Sequence, residues 1–208
     1  MKSLNEIFEE FEKHIMEDRK PSNYFNEIAK ENWFTNTFPL SLLGDLLVTV
    51  QSPRHHPEGS VWNHTMMVLD NAAERRSESK DSRAFMWAAL LHDLGKAPTT
   101  KKRKGKITSY DHDKVGELLA IDFLKCFTSD TEFVKVVSKL VRWHMQILFV
   151  DKGLPFADIV SMREETSIKE IALLGMCDRL GRGGMTEEKT KEEVKNIAVF
   201  IKKCNEYN

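Results

Sequence analysis

The stretch DSRAFMWAALLHDLGKAP, residues 81–98, decides the fold class and raises the question of function. Its apolar run predicts a helix in which His92 continues the face formed by Phe85 and Ala89. Such a face is expected to be buried, so His92 either has a structural hydrogen-bond partner or binds something. The neighbouring carboxylate of Asp93 favours the second interpretation.

The bulk composition is that of an ordinary water-soluble globular protein. The chain has 208 residues, 41% of them hydrophobic and 30% charged, and a formal net charge of −1, which argues against a globally basic nucleic-acid binder. The N-terminus has no apolar signal core, and the longest uncharged stretch, NWFTNTFPLSLLG, is too short to span a bilayer. Three scattered cysteines form no disulfide framework, so we expect a cytoplasmic protein without a membrane segment.

Helical spacing of apolar residues dominates the chain and predicts an all-α fold, a compact multi-helix bundle without strand pairs. We expect an N-terminal helical segment, residues 1–50, packed on a main domain, residues 51–208. In the first segment, PLSLLGDLLVTV (39–50) is apolar enough to lie fully inside the protein. In the main domain, KAPTTKKRKGK (96–106) is predicted to be a basic loop. Helices are predicted within residues 4–16, 21–32, 60–76 (capped by Ser60), 81–92, 108–127 (capped by a serine, threonine or aspartate), 129–145 (capped by Ser129 or Asp130), 166–181 and 186–204.

Polar side chains interrupt the apolar faces of several predicted helices. His64 continues the face of Val61 and Val68, and His144 continues that of Val137. Buried ionisable groups usually form pairs or coordinate metal ions, because burying a bare charge is costly. The full set of such groups comprises His64, His92, Asp93, His112, His144 and Asp178.

Imidazole and carboxylate groups without thiolates are typical ligands of Mn, Fe, Co, Ni or Zn, and Mg is a further candidate. Asp93 has two carboxylate oxygens and could bridge two ions. A single histidine on an apolar face is more often a hydrogen-bonded core residue, and His14 in the first predicted helix illustrates that alternative. The metal hypothesis therefore depends on the whole set and not on any one member.

Four blocks of the sequence resemble one known family. They are HHPEGSVWNHTMMVLDNAA (55–73), LLHDLGKAPTT (90–100), GKITSYDHDKVGELLA (105–120) and CDRLGRG (177–183). Their order and the H…HD…D pattern resemble the signature of the HD superfamily of metal-dependent phosphohydrolases. The residues within the four blocks are also similar to those of the HD domain of bacterial CCA-adding tRNA nucleotidyltransferases. The nucleotidyltransferase head of those enzymes does not precede the domain here, so we expect no CCA addition.

The resemblance implies a ligand set and a reaction. Its core ligands correspond to His64, His92, Asp93 and Asp178, while His112 and His144 stand where some members hold a second ion. An ion lowers the pKa of its water toward ~7, and the resulting hydroxide would attack phosphorus. Asp93 would be the central catalytic carboxylate. Lys96 is a second catalytic candidate, because its positive charge could bind the phosphate of the substrate. The alternative is that Lys96 only interacts favourably with the dipole at a helix C-terminus. Arg179 and Arg182 are further candidates for substrate binding.

We therefore expect a hydrolase that uses one or two divalent metal ions to cleave a phosphoester of a nucleotide or a cyclic phosphate, as a phosphatase or a 2′,3′-cyclic phosphodiesterase. The expected partner is a phosphorylated small molecule, with RNA also open, and the oligomeric state is undetermined. The basic run KKRKGK is either a solvated loop or a segment that steers a phosphorylated substrate. The alternative to an enzyme is a non-catalytic HD module that binds RNA or a protein.

Overall fold

The computed structural model describes residues 2–207 and confirms the all-α class, with one small hairpin added. None of its described helices combines the length and the apolar character needed to cross a membrane. The helices are α1 (Leu4–Glu17), α2 (Ser22–Ile28), α3 (Asn32–Asn36), α4 (Ser41–Gly44), α5 (Val61–Arg75), α6 (Ser82–Leu91), α7 (Lys96–Thr99), α8 (His112–Lys125), α9 (Thr131–Trp143), α10 (Gln146–Asp151), α11 (Ile159–Glu165), α12 (Ile168–Leu180) and α13 (Glu187–Glu206). The strands are β1 (Thr100–Arg103) and β2 (Lys106–Ser109).

Side-chain caps begin several of these helices where the sequence predicts them. Ser60 accepts a hydrogen bond from the backbone of Asn63 at the start of α5, and Asp130 does the same for Phe133 at the start of α9. Each cap satisfies one of the backbone donors left free at a helix N-terminus. The N-cap residue of α8 is an aspartate, Asp111, one of the predicted residue types, but its side chain makes no cap bond there.

Helix α6 lies at the centre of the bundle. All eight residues 84–91 are buried, and the helix contacts α1, α5, α9 and α12. A helix that is apolar all round is expected in such a fully enclosed position. On one side the rings of Phe8 in α1 and Trp87 in α6 stack with their centroids 4.9 Å apart. These contacts attach the N-terminal helices to the rest of the chain, while the division at residue 50 stays a prediction.

The prediction of no strand pair is wrong at residues 100–109. There β1 and β2 form an antiparallel hairpin in which Lys104 and Gly105 both have positive φ, of 49° and 77°. A type I′ turn requires positive φ at both of its central residues, and its twist matches that of the two strands of a hairpin with a two-residue loop. Lysine-rich segments have low strand propensity, so the sequence pattern carried no signal for these strands.

Two further expectations need correction. The segment 39–50 does not lie fully inside, because Val48 is 80% exposed and Val50 58% exposed, although Leu43 and Leu46 are buried. The connection between the helices predicted within residues 129–145 and 166–181, for which no helix was predicted, contains α10 and α11.

Candidate metal centre

The six candidate ligands meet at one end of the central helix. His92 and Asp93 directly follow α6, His144 directly follows α9, and His112 is the first residue of α8. The other two project from within α5 and α12, as His64 and Asp178. All four histidines and Asp93 are buried, with at most 7% of any residue exposed. Helix packing therefore brings together residues from five segments of the chain.

The four histidines share one orientation. In each ring Nδ1 faces a backbone carbonyl oxygen, and because such an oxygen only accepts, Nδ1 carries the proton. In the neutral form of each ring, Nε2 then presents its lone pair, the form in which imidazole binds a metal. The Nδ1 to oxygen distances are 3.1 Å from His64 to Gly181, 2.9 Å from His92 to Ala89, 2.7 Å from His112 to Ser109 and 2.6 Å from His144 to Val141.

The Nε2 atoms converge on the two oxygens of Asp93. Oδ2 lies 3.3 Å from Nε2 of His92 and 3.8 Å from Nε2 of His64. Oδ1 lies 3.6 Å from Nε2 of His112 and 3.8 Å from Nε2 of His144. Each oxygen thus forms, with its pair of histidines, a group of three potential ligand atoms. One carboxylate between two such groups can bridge two ions.

The contacts within the cluster fit a cation better than a set of hydrogen bonds. Nε2 of His112 and Nε2 of His144 are 3.3 Å apart, yet neither carries a proton to donate. Nε2 of His92 is buried without a hydrogen-bond partner. Converging lone pairs repel one another unless a positive charge lies between them. Nitrogen atoms bound to one ion at about 2.1 Å in tetrahedral geometry lie about 3.4 Å apart, close to the 3.3 Å between the Nε2 atoms of His112 and His144.

The second carboxylate joins the cluster through His64. Oδ1 of Asp178 lies 3.0 Å from Nε2 of His64, so Asp178, His64 and Asp93 form a continuous group. Burial alone would raise the pKa of Asp178, but His64 and Arg182 hold it well below its usual range. Asp178 is therefore an ionised, ligand-competent carboxylate.

Charge in the cluster favours the forms that bind metal. Burial alone would raise the pKa of Asp93, but Lys96 and His92 hold it well below its usual range. Burial lowers the pKa of His112, and burial together with His112 and His92 lowers the pKa of His144 to about 4. At pH 7 the cluster therefore combines the anionic carboxylate of Asp93 with neutral imidazoles at His112 and His144. Burial alone would lower the pKa of His64, but hydrogen bonds with Asp178 and Glu58 raise it.

Lys96 reaches the cluster, whereas Arg179 does not. The Lys96 ammonium lies 2.7 Å from Oδ2 of Asp93 and donates a 2.7 Å hydrogen bond to Oε1 of Gln51. The contact with Asp93 is an ion pair without hydrogen-bond alignment, since the same oxygen lacks a hydrogen-bond partner. Arg179 is buried and pairs with Glu193, so this geometry gives no support to its predicted role with substrate.

Arg182 lies at the edge of the cluster. Its guanidinium is 3.9 Å from Oδ1 of Asp178, and its side chain remains 30% exposed. That position combines contact with a candidate ligand and access from solvent, as a group that meets an incoming phosphate requires.

Glu58 is a residue of the site that the sequence analysis did not identify. Its Oε1 lies 3.1 Å from Nδ1 of His64 and 2.8 Å from Nδ1 of His56, and its Oε2 accepts a hydrogen bond from the Gly183 amide. A carboxylate behind a ligating histidine fixes the ring and raises its basicity. The sequence pattern carries no signal for this contact, since Glu58 lies in a loop where no helical face can be defined.

Substituting Glu58→Gln is expected to weaken ion binding by about 10- to 100-fold, the usual effect of removing a carboxylate behind a ligand. The affinity can be measured by competition with a chromogenic chelator. Glu74→Gln provides the matched control, because Glu74 is an exposed residue of the same helix as His64. Equal affinities in the two variants would exclude a role for Glu58 in positioning His64.

A model of the HD domain family matches residues 61–196, more than half of the chain. The chain belongs to the HD domain family. This membership supports the recognition made from the four sequence blocks, and HD domains form a hydrolase superfamily. The range matched in this HD domain contains all six candidate ligands together with Lys96 and Arg182.

This HD domain is also similar to proteins named multifunctional CCA protein. The one from Methylococcus capsulatus is 33% identical over 138 residues, which cover 66% of this chain and 30% of that protein. The one from Aromatoleum aromaticum is 36% identical over 188 residues, which cover 87% of this chain and 44% of that protein. The chain therefore spans less than half the length of these relatives.

Proposed function

We propose that this HD domain is a metal-dependent phosphohydrolase that cleaves a phosphoester of a nucleotide or a cyclic phosphate, as a phosphatase or 2′,3′-cyclic phosphodiesterase. The observation that carries the proposal is the arrangement of two histidine pairs on opposite oxygens of Asp93. Such an arrangement suits two divalent ions bridged by a carboxylate, a kind of centre found in phosphatases and nucleases.

The histidines would divide between two ions by the oxygen of Asp93 nearest to each, and Asp178 would join the ion beside His64. His64, His92 and Asp178 would hold the first ion together with Oδ2, and His112 and His144 would hold the second together with Oδ1. Mn, Fe, Co, Ni and Zn all suit imidazole and carboxylate ligands, and Mg is a weaker match to four histidines. When bound, the ions supply a Lewis acid that makes water nucleophilic at neutral pH and withdraws charge from a phosphoryl group.

The remaining chemistry belongs to side chains of the chain itself. Gln51 holds the Lys96 ammonium beside Asp93, where Lys96 can pair with a phosphoryl oxygen of the substrate. Arg182 can contact the same phosphate from the exposed edge of the cluster. The histidine Nδ1 bonds to backbone carbonyls keep the rings in place during the reaction, so each Nε2 stays directed at the cluster.

The relatives inform the substrate class. Proteins named multifunctional CCA protein share this domain, and their name refers to the CCA sequence, a nucleotide sequence. A nucleotide or the end of an RNA is therefore the class of phosphoester that we propose for this chain. The competing function is that of a non-catalytic module that binds RNA or a protein. In that case, substituting the candidate metal-ligating residues would not weaken the binding of that partner.

The test is elemental analysis of protein purified without a chelator or histidine tag, followed by assays of phosphomonoesters and cyclic phosphates with the ion found. We expect about two equivalents of transition metal in the native protein and about one in His144→Gln, with a matching loss of hydrolysis. His14→Gln is the control, because His14 of α1 pairs with Asp18, the residue after that helix, and lies outside the cluster. A native protein that takes up no Mn, Fe, Co, Ni or Zn and hydrolyses no phosphoester would refute the proposed function.

A further inference from the structure

The hairpin of β1 and β2 concentrates positive charge on one small element. Five of the six residues 101–106 are basic, whereas the rest of the chain has 26 basic and 32 acidic residues, a formal charge of −6. All five basic residues are exposed, and none forms an ion pair with any residue in the range 2–207. We call residues 100–110, with this charge, the basic hairpin.

The register gathers part of that charge on one face. Side chains alternate along a strand, so Lys101 and Arg103 share a face with Lys106 on the opposite strand. Arg103 and Lys106 are direct cross-strand partners, and like charges in that position destabilise a hairpin. A bound polyanion would remove this repulsion. A chain of phosphates therefore suits the face better than an uncharged ligand.

The base of the hairpin is joined to the candidate metal centre. The Ser109 carbonyl oxygen accepts the 2.7 Å hydrogen bond from Nδ1 of His112, and the hydroxyls of Thr100 and Ser109 are bonded at 2.7 Å. Lys96, which pairs with Asp93, begins the helix that leads directly into β1. From this base the strands extend by about 10 Å, which is long enough to contact more than one phosphate of a polynucleotide.

Tyr110 adds an aromatic surface beside the charge. It directly follows β2, remains 59% exposed, and has the Arg103 guanidinium 5.4 Å from its ring centroid. Proteins that bind single-stranded nucleic acid combine basic groups along the backbone with exposed aromatic rings on which bases stack. The basic hairpin carries both features within one short segment.

We propose that the basic hairpin binds the backbone of a single-stranded RNA whose terminal phosphate lies in the metal centre. The parts of this proposal that concern the terminal phosphate and the choice of RNA over DNA rest on the proposed function. RNA is favoured over DNA because only a ribose can carry a 2′,3′-cyclic phosphate. Lys101, Arg103 and Lys106 contact successive phosphates, and Tyr110 stacks on a base.

Binding can be measured by fluorescence anisotropy with a labelled short single-stranded RNA over a range of salt concentrations. The triple variant Lys101→Gln, Arg103→Gln, Lys106→Gln is expected to bind at least about tenfold more weakly at low salt. Its slope of log affinity against log salt should be shallower by about 2, since each lost phosphate contact removes about 0.7. The charge-matched control is Lys169→Gln, Lys195→Gln, Lys202→Gln, which changes three exposed lysines on α12 and α13.

Hydrolysis separates this proposal from the proposed function. The ratio of kcat/KM for RNA ending in a 2′,3′-cyclic phosphate to that for a nucleoside 2′,3′-cyclic monophosphate should fall in the hairpin variant and not in the control. Salt-dependent RNA binding that the hairpin variant loses, without hydrolysis of either substrate, would refute the proposed function and support the hairpin proposal. Equal RNA affinity in the two triple variants would overturn the hairpin proposal. A native protein that binds vesicles of anionic lipid but no RNA would overturn it as well.

Discussion

Replacing Asp93 with asparagine is expected to abolish hydrolysis and to remove both metal ions. Asp93 is the one candidate ligand whose atoms lie within 4 Å of all four histidine Nε2 atoms. An amide keeps the shape of the side chain but loses the negative charge that balances two cations. Loss of several kcal/mol of charge stabilisation corresponds to a rate reduction of roughly 10³-fold or more.

The measurement for Asp93→Asn combines elemental analysis with the rate on the best phosphoester. Asp70→Asn is the matched control, because Asp70 is a carboxylate outside the cluster that accepts structural hydrogen bonds, from the Ser22 amide at 3.0 Å and from its hydroxyl at 2.7 Å. That control should lose about 1 kcal/mol of stability and keep its metal. Asp93→Asn that retains two ions and the native rate would contradict the bridging role.

Gly95→Ala is expected to produce the largest loss of stability. A Cβ at Gly95 would lie 2.0 Å from the His112 carbonyl oxygen and 2.6 Å from the Gly116 amide nitrogen, both backbone atoms of α8. Backbone atoms cannot rotate away as a side chain can, so α8 must move. The φ of Gly95 is −66°, which any residue adopts, so the requirement for glycine is one of space alone.

The expected cost of Gly95→Ala is about 3 kcal/mol or more, the upper range for overpacking, and a fall in Tm of roughly 6–12 °C. Because α8 begins with His112, the same displacement should lower metal content. Gly153→Ala is the control: nothing lies within 4 Å of its added Cβ, and its φ of 60° is expected to cost only about 1–2 kcal/mol. Thermal melts that coincide for Gly95→Ala and the native protein would show that α8 accommodates the methyl group freely.

Much of the helical framework could be predicted from local patterns. The apolar spacing of α1, α5 and α9 and the caps Ser60 and Asp130 depend on residues within a few positions along the chain. The same spacing marked the candidate ligands as polar groups on apolar faces. The basic hairpin could not be predicted in this way, since lysine-rich strands joined by Lys104 and Gly105 carry neither the composition nor the turn dipeptide typical of hairpins.

The arrangement of the ligands around Asp93 followed from the tertiary structure. His112 and His144 are 32 positions apart in sequence, and His64 and Asp178 are 114 apart, yet each pair lies at 3.0–3.3 Å. No local pattern specifies which histidines share an oxygen of Asp93. Packing of α5, α8, α9 and α12 around the end of α6 decides it.

The sequence by itself determined the long helices, the residue types available as ligands and the resemblance to the HD family, because all three are properties of neighbouring residues or short motifs. Only the tertiary structure decided that Glu58 supports His64, that Arg179 pairs with Glu193, and that the basic hairpin is joined to His112. The physical reason is that these contacts connect distant parts of the chain. Their distances depend on how whole helices pack, and one side chain's position in its own helix does not specify them.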